Sequence, residues 1–169
     1  MTRYPLRRLR LRFGEQHRDA VEIELEPFDL GGQRYLPVPQ EVETELTVTQ
    51  ATTGLLFEIA FAIRLHGPCM RCLEDAVLDV RIDAREYHAA NPGGDDELAS
   101  EYVLDDQLEL TAWARDAIAL ALPVQILHDR DCAGLCPVCG KNLNLEPHTH
   151  DDVVADPRWS ALQELRDRL

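Results

Sequence analysis

Residues 57–85 read FEIAFAIRLHGPCMRCLEDAVLDVRIDAR, and they predict a β-hairpin that carries two cysteines at its tip. Apolar side chains take every second position across 57–65 and again across 78–84. A period of two is typical of strands with one buried face. A His-Gly-Pro turn signal and the motif Cys69-Met-Arg-Cys72 separate the two runs. The paired strands of the hairpin would therefore fix the positions of both thiols.

A second Cys-x2-Cys motif, Cys136-Pro-Val-Cys139, follows after 63 intervening residues. Two such motifs suit tetrahedral zinc, because each can present two thiolates to one ion at about 2.3 Å. Gly140 directly follows the second motif, where the chain often needs a positive φ as it curls round a metal. The sequence therefore predicts one zinc-ribbon-like site.

The predicted zinc ligands are Cys69, Cys72, Cys136 and Cys139. Cys132 is a fifth thiol close to the second motif, and it is a possible substitute for one of them. Four thiolates would fill the tetrahedral shell and leave no open position for a catalytic water. The zinc ion is therefore expected to be structural.

Other polar residues near the cysteines could support the metal. Arg71 and Lys141 lie inside or beside the motifs, and we expect them to donate hydrogen bonds to the negatively charged zinc–thiolate centre. His66 and His128 flank the cysteines and could act in the same way. The cluster HTHDD at 148–152 could bind a second metal.

Two other uses of the cysteines compete with zinc. The odd number of five cysteines and the lack of a secretory segment argue against a disulfide framework. The Cys-Pro-Val-Cys motif resembles a thioredoxin-type redox motif, but that chemistry needs its first thiol at the N-terminus of a helix. The residues after Cys139 read GKNLN, which predicts a turn.

Charge is distributed unevenly along the 169 residues, whose net charge is −14. The first 18 residues carry six arginines and one glutamate, or +5, and the remaining 11 basic and 30 acidic side chains carry −19. A body this acidic repels the phosphates of bare RNA. Its acidic clusters could instead bind a basic protein or keep the protein soluble.

The N-terminal arginines predict a strand with one basic face. Arg8, Arg10 and Arg12 alternate with apolar residues across 8–13, and this face is a possible RNA contact. The segment lacks the apolar centre of a signal peptide. The chain also has no run of about 18 apolar residues, so we expect no membrane span.

The rest of the chain predicts an α+β fold, with a mainly antiparallel β-sheet, one or two packed helices and a C-terminal arm tied by the four-cysteine zinc site. Further strands are predicted at 21–25 and 42–49, with a loop across 31–39 between them. Helical spacing predicts a helix at about 108–122, with Trp113 in the core.

The chain is expected to form one integrated domain with two parts. Residues 1–127 form the mainly β core with its helix, and residues 128–169 form the cysteine-rich zinc arm and a C-terminal helix. Asp156 followed by Pro157 is a good start for that last helix. We find no Walker loop, nucleophile elbow or H-E-x-x-H motif, so the sequence does not predict an enzyme.

Four segments resemble the YceD family, the large ribosomal RNA subunit accumulation proteins of bacteria and plastids. They are CMRCL at 69–73, the helix end ALALP at 119–123, the block DCAGLCPVCGKNLN at 131–144 and the closing DPRWSAL at 156–162. The resemblance covers nearly the whole chain in order. It implies a cytoplasmic, metal-binding, non-enzymatic protein that is needed for normal levels of large-subunit ribosomal RNA.

Together these observations predict a protein that supports large-subunit biogenesis. It would bind a large-subunit ribosomal protein or a pre-ribosomal RNA–protein particle, would contain a structural Zn²⁺, and would use no membrane and no small-molecule substrate. The first alternative is a direct rRNA-binding protein that uses Arg8, Arg10 and Arg12. The second alternative is a zinc-dependent or thiol-based enzyme acting on rRNA, which the lack of an acid–base constellation argues against.

Overall fold

A computed structural model describes residues 1–90 and 99–150, and the described residues form two antiparallel sheets and one α-helix. The strands are β1 Arg3–Pro5, β2 Gln16–Glu24, β3 Phe28–Leu30, β4 Gln33–Val38, β5 Glu41–Gln50, β6 Gly54–Pro68, β7 Asp75–Ala89, β8 Val103–Leu104 and β9 Gln107–Glu109. A 3-10 helix spans Leu6–Arg8, and helix α1 spans Leu110–Ala121. The prediction of a mainly antiparallel sheet with a packed helix is confirmed.

Strand β6 organises the larger, six-stranded sheet. It pairs with β7 along its whole length, from Gly54 opposite Ala89 to Pro68 opposite Asp75. Its other edge is shared by β5 and β4, which pair with its first and last parts. Strand β2 then pairs with β5, and β3 pairs with β4. The hairpin predicted at 57–85 is therefore present, and each of its strands is 15 residues long.

The buried face of this sheet packs against α1. Trp113 of α1 is 3% exposed, and its ring packs against the Phe57 ring in a T-shaped arrangement with the centroids 6.5 Å apart. Burying one large apolar side chain stabilises a fold by about 1.5–3 kcal/mol. The prediction of Trp113 as a core residue is confirmed. The inward side chains of β6 are the ones that the alternation predicts: Phe57, Ile59, Phe61, Ile63 and Leu65.

The smaller sheet, in the order β1-β9-β8, leads directly into α1. The backbone N–H of Leu110 donates to the carbonyl of Thr2 at 3.0 Å, and the N–H of Thr2 donates to the side chain of Thr111 at 2.8 Å. The helix predicted at about 108–122 therefore begins two residues later, because Leu108 belongs to β9.

The prediction of a loop across 31–39 is wrong. This stretch contains the turn and the second strand, β4, of a hairpin whose first strand is β3. Gly31 and Gly32, with φ of 59° and 77°, form a two-residue turn between β3 and β4. Such tight hairpin turns need positive φ at both central positions, which glycine adopts without strain. Tyr35 and Pro37 in β4 are fully buried, so the two glycines mark a turn between strands.

The strand predicted across 8–13 is also wrong. A 3-10 helix ends at Arg8, and the next backbone bonds are local, from Leu9 to the carbonyl of Leu6 and from Glu15 to the carbonyl of Arg12, both at 2.9 Å. A strand needs a neighbour for its backbone groups, and the alternation of side chains does not supply one. The side chains of Arg8, Arg10 and Arg12 are nevertheless exposed.

The C-terminal helix predicted from Asp156 lies outside the described residues. Among the residues that the structure describes, no helix has the length and apolar character that crossing a membrane requires.

Candidate metal centres

Both Cys-x2-Cys motifs form the same type of backbone turn, which we call a knuckle. In knuckle 1, residues 69–74, the N–H of Cys69 donates to the carbonyl of Glu74 at 2.7 Å. The N–H of Leu73 donates back to the carbonyl of Cys69 at 3.0 Å. Leu73 has a φ of 65°, a left-handed conformation that side chains disfavour. The turn is therefore maintained even though a leucine occupies the strained position.

Knuckle 2, residues 136–141, repeats these contacts. The N–H of Cys136 donates to the carbonyl of Lys141, and the N–H of Gly140 donates to the carbonyl of Cys136, both at 2.8 Å. Gly140 has a φ of 72°, which confirms the positive φ predicted there. The two knuckles are thus equivalent in backbone geometry, and each presents two cysteine side chains.

Knuckle 1 meets two residues of the C-terminal arm. The sulfurs of Cys69, Cys72 and Cys132 and a ring nitrogen of His128 lie within 4.8 Å of one another. We call this group the hairpin site. Its three sulfurs are buried, and its histidine is exposed. Cys72 Sγ lies 3.2 Å from His128 Nδ1.

The hairpin site fits a tetrahedral metal ion. Zinc–sulfur bonds of about 2.3 Å place two sulfurs about 3.8 Å apart, and Cys69 Sγ and Cys132 Sγ are 3.8 Å apart. This separation is far longer than a disulfide bond of about 2.05 Å, and the structure has all five cysteines as free thiols. Three thiolates and one imidazole form an ordinary ligand set for structural zinc.

Knuckle 2 forms a second group with two histidines. The sulfurs of Cys136 and Cys139 and ring nitrogens of His148 and His150 lie within 4.8 Å of one another. We call this group the arm site. Cys139 Sγ is 3.1 Å from His148 Nε2, and His148 Nδ1 is 2.7 Å from the carbonyl oxygen of Glu146. A ring N–H that donates to a carbonyl leaves the other nitrogen free to bind a metal.

The structure therefore groups the cysteines differently from the single four-cysteine site that we predicted. Within residues 1–90 and 99–150, Cys69 and Cys72 lie with Cys132 and His128, and Cys136 and Cys139 lie with His148 and His150. Cys132, expected as a substitute, is a full member of the hairpin site. The sequence contains two signals for these partners, the His-x3-Cys spacing at 128–132 and the His-x-His pair at 148–150. Neither signal shows which knuckle it meets, because contact between distant segments depends on the path of the chain.

Backbone hydrogen bonds hold the arm against knuckle 1. The N–H of Met70 donates to the carbonyl of Ile126 at 2.9 Å, and the N–H of Leu135 donates to the carbonyl of Arg71 at 3.0 Å. Ile126 is 1% exposed and belongs to the main core. The arm residues in these contacts lie on both sides of Cys132 in the sequence. The contacts therefore position the Cys132 sulfur at the hairpin tip.

The two residues expected to support the thiolates make other contacts. Arg71 donates from Nη1 to the carbonyl oxygen of Cys132 at 3.1 Å, and Lys141 pairs with Glu146 at 2.7 Å. A polar side chain that does reach a sulfur is Asn144, whose Nδ2 lies 3.5 Å from Cys132 Sγ. Asn144 could not be identified from the sequence, because a loop asparagine carries no signal for a partner 12 residues away.

The surroundings of the knuckles change the pKa of several thiols. Burial raises the pKa of Cys69, but hydrogen bonds from His128 and from nearby backbone N–H groups outweigh it and lower that pKa to about 6. The backbone N–H of Cys139 is the main cause that lowers the pKa of Cys136 to about 6. Burial raises the pKa of Cys72 to about 11. The lowered pKa values of Cys69 and Cys136 favour the thiolate, the form that binds metals.

Comparison with known proteins identifies a matching family and several relatives. The family model described as "Large ribosomal RNA subunit accumulation protein YceD" matches residues 57–166. The "Uncharacterized protein Rv2926c" of Mycobacterium tuberculosis is 33% identical over 129 residues, which are 73% of this chain and 61% of that protein. The "Uncharacterized protein YlbN" of Bacillus subtilis is 25% identical over 152 residues, which are 87% of this chain and 85% of that protein.

This chain spans less than two thirds of the length of its mycobacterial relatives. The share is 61% for the Mycobacterium tuberculosis protein and 58% for the "Uncharacterized protein ML1660" of Mycobacterium leprae, which is 32% identical over 129 residues. No solved structure gives a significant match to the chain.

Proposed function

This chain belongs to the YceD family, the large ribosomal RNA subunit accumulation proteins, and on that basis we propose that it supports large-subunit biogenesis as a non-enzymatic binding protein. Its partner in this proposal is a basic large-subunit ribosomal protein, alone or within a pre-ribosomal RNA–protein particle. The family description supports the link to large-subunit rRNA. The choice of a basic protein as partner is supported by the charge of one sheet face.

The supporting observation is a strip of glutamates on the exposed face of β2 and β5. In the antiparallel register, Glu22 lies directly opposite Glu43, and Glu24 lies directly opposite Glu41. All four side chains are exposed. The N-terminal amino group of Met1 already pairs with the Glu24 carboxylate, but Glu22 and Glu43 place like charges directly opposite each other, which destabilises a sheet. A positively charged partner would remove the repulsion, and the net charge of −14 would attract that partner.

One end of this acidic strip borders a groove of about 620 Å³. Carboxylates can pair with the charged end of lysine or arginine, while apolar walls pack against the aliphatic stem. The groove combines both kinds of lining and therefore suits a basic tail or loop. Its lining residues are Glu22, Glu24, Leu25, Glu26, Pro27, Pro39, Gln40 and Glu41.

We also propose that Zn²⁺ occupies the hairpin site in a structural role. Three cysteines and one histidine would complete a four-coordinate shell, which leaves no position for a reacting water. The ion would join knuckle 1 to Cys132, which lies 60 positions after Cys72. Structural zinc contributes about 10–16 kcal/mol of apparent binding free energy in small peptides, enough to fasten a polar arm to the sheet.

The acidic strip is tested by replacing Glu22, Glu24, Glu41 and Glu43 together with glutamine. Tagged protein is captured from cells, and the protein and RNA that come with it are identified. We expect the unmodified chain to recover basic large-subunit ribosomal proteins and the variant to recover at least tenfold less. A matched control converts four exposed acids elsewhere to amides and should capture normally: Asp75, Asp83, Glu101 and Asp105. Equal recovery by the strip variant and the control would contradict the proposal.

The exposed side chains of Arg8, Arg10 and Arg12 favour one alternative, direct binding of rRNA. This alternative predicts that rRNA fragments shift in a gel at low salt, that the shift weakens as salt rises, and that replacing the three arginines with alanine abolishes it. The absence of any shift at low salt would exclude this alternative.

A further inference from the structure

We propose that the arm site binds a second zinc ion, which is separate from the hairpin site and exchanges readily with solvent. Its ligands are Cys136, Cys139, His148 and His150. Two cysteines and two histidines are an ordinary tetrahedral ligand set for zinc. This inference does not depend on the proposed ribosomal role, since it concerns metal content and not the partner.

The arm site is complete within one short segment. All four ligands lie in residues 136–150, and no residue of the large sheet contributes a ligand atom. Backbone hydrogen bonds already shape knuckle 2, and the carbonyl of Glu146 orients the ring of His148. The segment can therefore present four ligands to an ion without help from the sheet.

The two sites are separate because each has a full set of four ligand residues and they share none. Cys132 and Cys136 are only four positions apart, yet they belong to different groups. The turn between them contains Gly134, which has a φ of 79°, and its carbonyl accepts the N–H of Leu143 at 2.9 Å. A single ion shared by the two groups could bind only four of the eight ligand residues, and the other four would have no metal.

The sites differ in their exposure to solvent. Three of the four hairpin-site ligands are buried and His128 is exposed, whereas in the arm site Cys136 is buried, His148 is half-buried, and Cys139 and His150 are exposed. The hairpin site also joins distant parts of the chain, and the backbone hydrogen bonds of Met70 with Ile126 and of Leu135 with Arg71 hold these parts together. The arm site closes only a local loop, so water and chelators can reach its ion directly. The arm site is therefore the labile one of the two.

Metal content of the purified full chain tests the number of sites. We expect two zinc ions per chain, one in the variant His148→Ala/His150→Ala, and two in the control His66→Ala, whose exposed histidine belongs to neither group. The variant Cys139→Ser removes a different ligand of the arm site and should also contain one zinc ion. A single ion in the unmodified chain, or two ions retained in both arm-site variants, would overturn the proposal.

Cobalt substitution and chelator competition test the separation and the lability. In the cobalt form, removing the arm site should lower the thiolate charge-transfer absorbance by about two fifths, since it supplies two of the five thiolates. A coloured chelator should remove one zinc ion quickly and one slowly, and the fast phase should be missing from His148→Ala/His150→Ala. Release of both ions in one phase, or a fast phase that survives in this variant, would contradict the proposal.

Discussion

At the scale of single residues, the attachment of the arm depends on Arg71. Its guanidinium bonds the carbonyl of Cys132 at 3.1 Å and the side chain of Gln125 at 3.2 Å, and its own carbonyl accepts the N–H of Leu135. Arg71 therefore contacts the arm both before and after the histidine and cysteine that the arm contributes to the hairpin site. Its role is to position these ligands and not to bind the metal.

The variant Arg71→Met should lower the free energy of unfolding by about 1–2 kcal/mol, because it removes two hydrogen bonds of a charged group. Zinc content should not change, since Arg71 supplies no ligand atom. Urea denaturation followed by fluorescence would measure the effect. Lys141→Met is the matched control, because the exposed pair of Lys141 and Glu146 is worth less than about 1 kcal/mol. Equal stability of the two variants would show that Arg71 does not hold the arm.

At the scale of elements, the end of β6 is fitted closely against β4. The hydroxyl of Tyr35 donates to the carbonyl of Pro68 at 2.8 Å, one residue before the first cysteine of knuckle 1. Gly67 leaves room for the Tyr35 ring, and a methyl group at this position would meet that ring and the carbonyl oxygen of Arg34, the latter at 2.9 Å. The close approach of β4 therefore sets the position of the hairpin tip.

Gly67→Ala should destabilise the protein by about 1–3 kcal/mol, the usual cost of overpacking a well-packed site. We expect a lower melting temperature and weaker zinc retention at the hairpin site, since Tyr35 must move. Ala62→Val, which adds volume on the exposed face of the same strand, serves as the control. A melting temperature for Gly67→Ala no lower than that of the control would contradict this account of the packing.

At the scale of the whole molecule, the sheet and the arm are stabilised by different forces. The large sheet buries an apolar face with fully buried side chains such as Leu46 and Phe57. Across residues 124–150, which are the described part of the arm and the four residues that lead into it, the only β-bridge is the isolated pair of Leu135 and Asn142, and most side chains are exposed. A segment that buries so little apolar surface needs another source of stability, which metal binding would supply.

Removing metal with a chelator should therefore affect the two parts unequally. In hydrogen exchange followed by mass spectrometry, amides of β5, β6 and β7 should remain protected, while those of residues 126–146 should lose protection. Adding zinc back should restore it. Equal loss of protection in the sheet, or continued protection of the metal-free arm, would contradict this division of roles.

The sequence by itself determined the elements whose pattern is local. The alternation across 57–65 identified β6, the helical spacing around Trp113 identified α1, and Gly140 marked the left-handed position of knuckle 2, because each signal depends only on neighbouring residues. Only the tertiary structure decided which cysteines lie together and which partners each strand has. Cys132 reaches knuckle 1 because the packed Ile126 and the backbone of Arg71 guide the arm across the hairpin tip. Contacts of this kind depend on the packing of segments about 60 residues apart, and no local spacing in the chain encodes them.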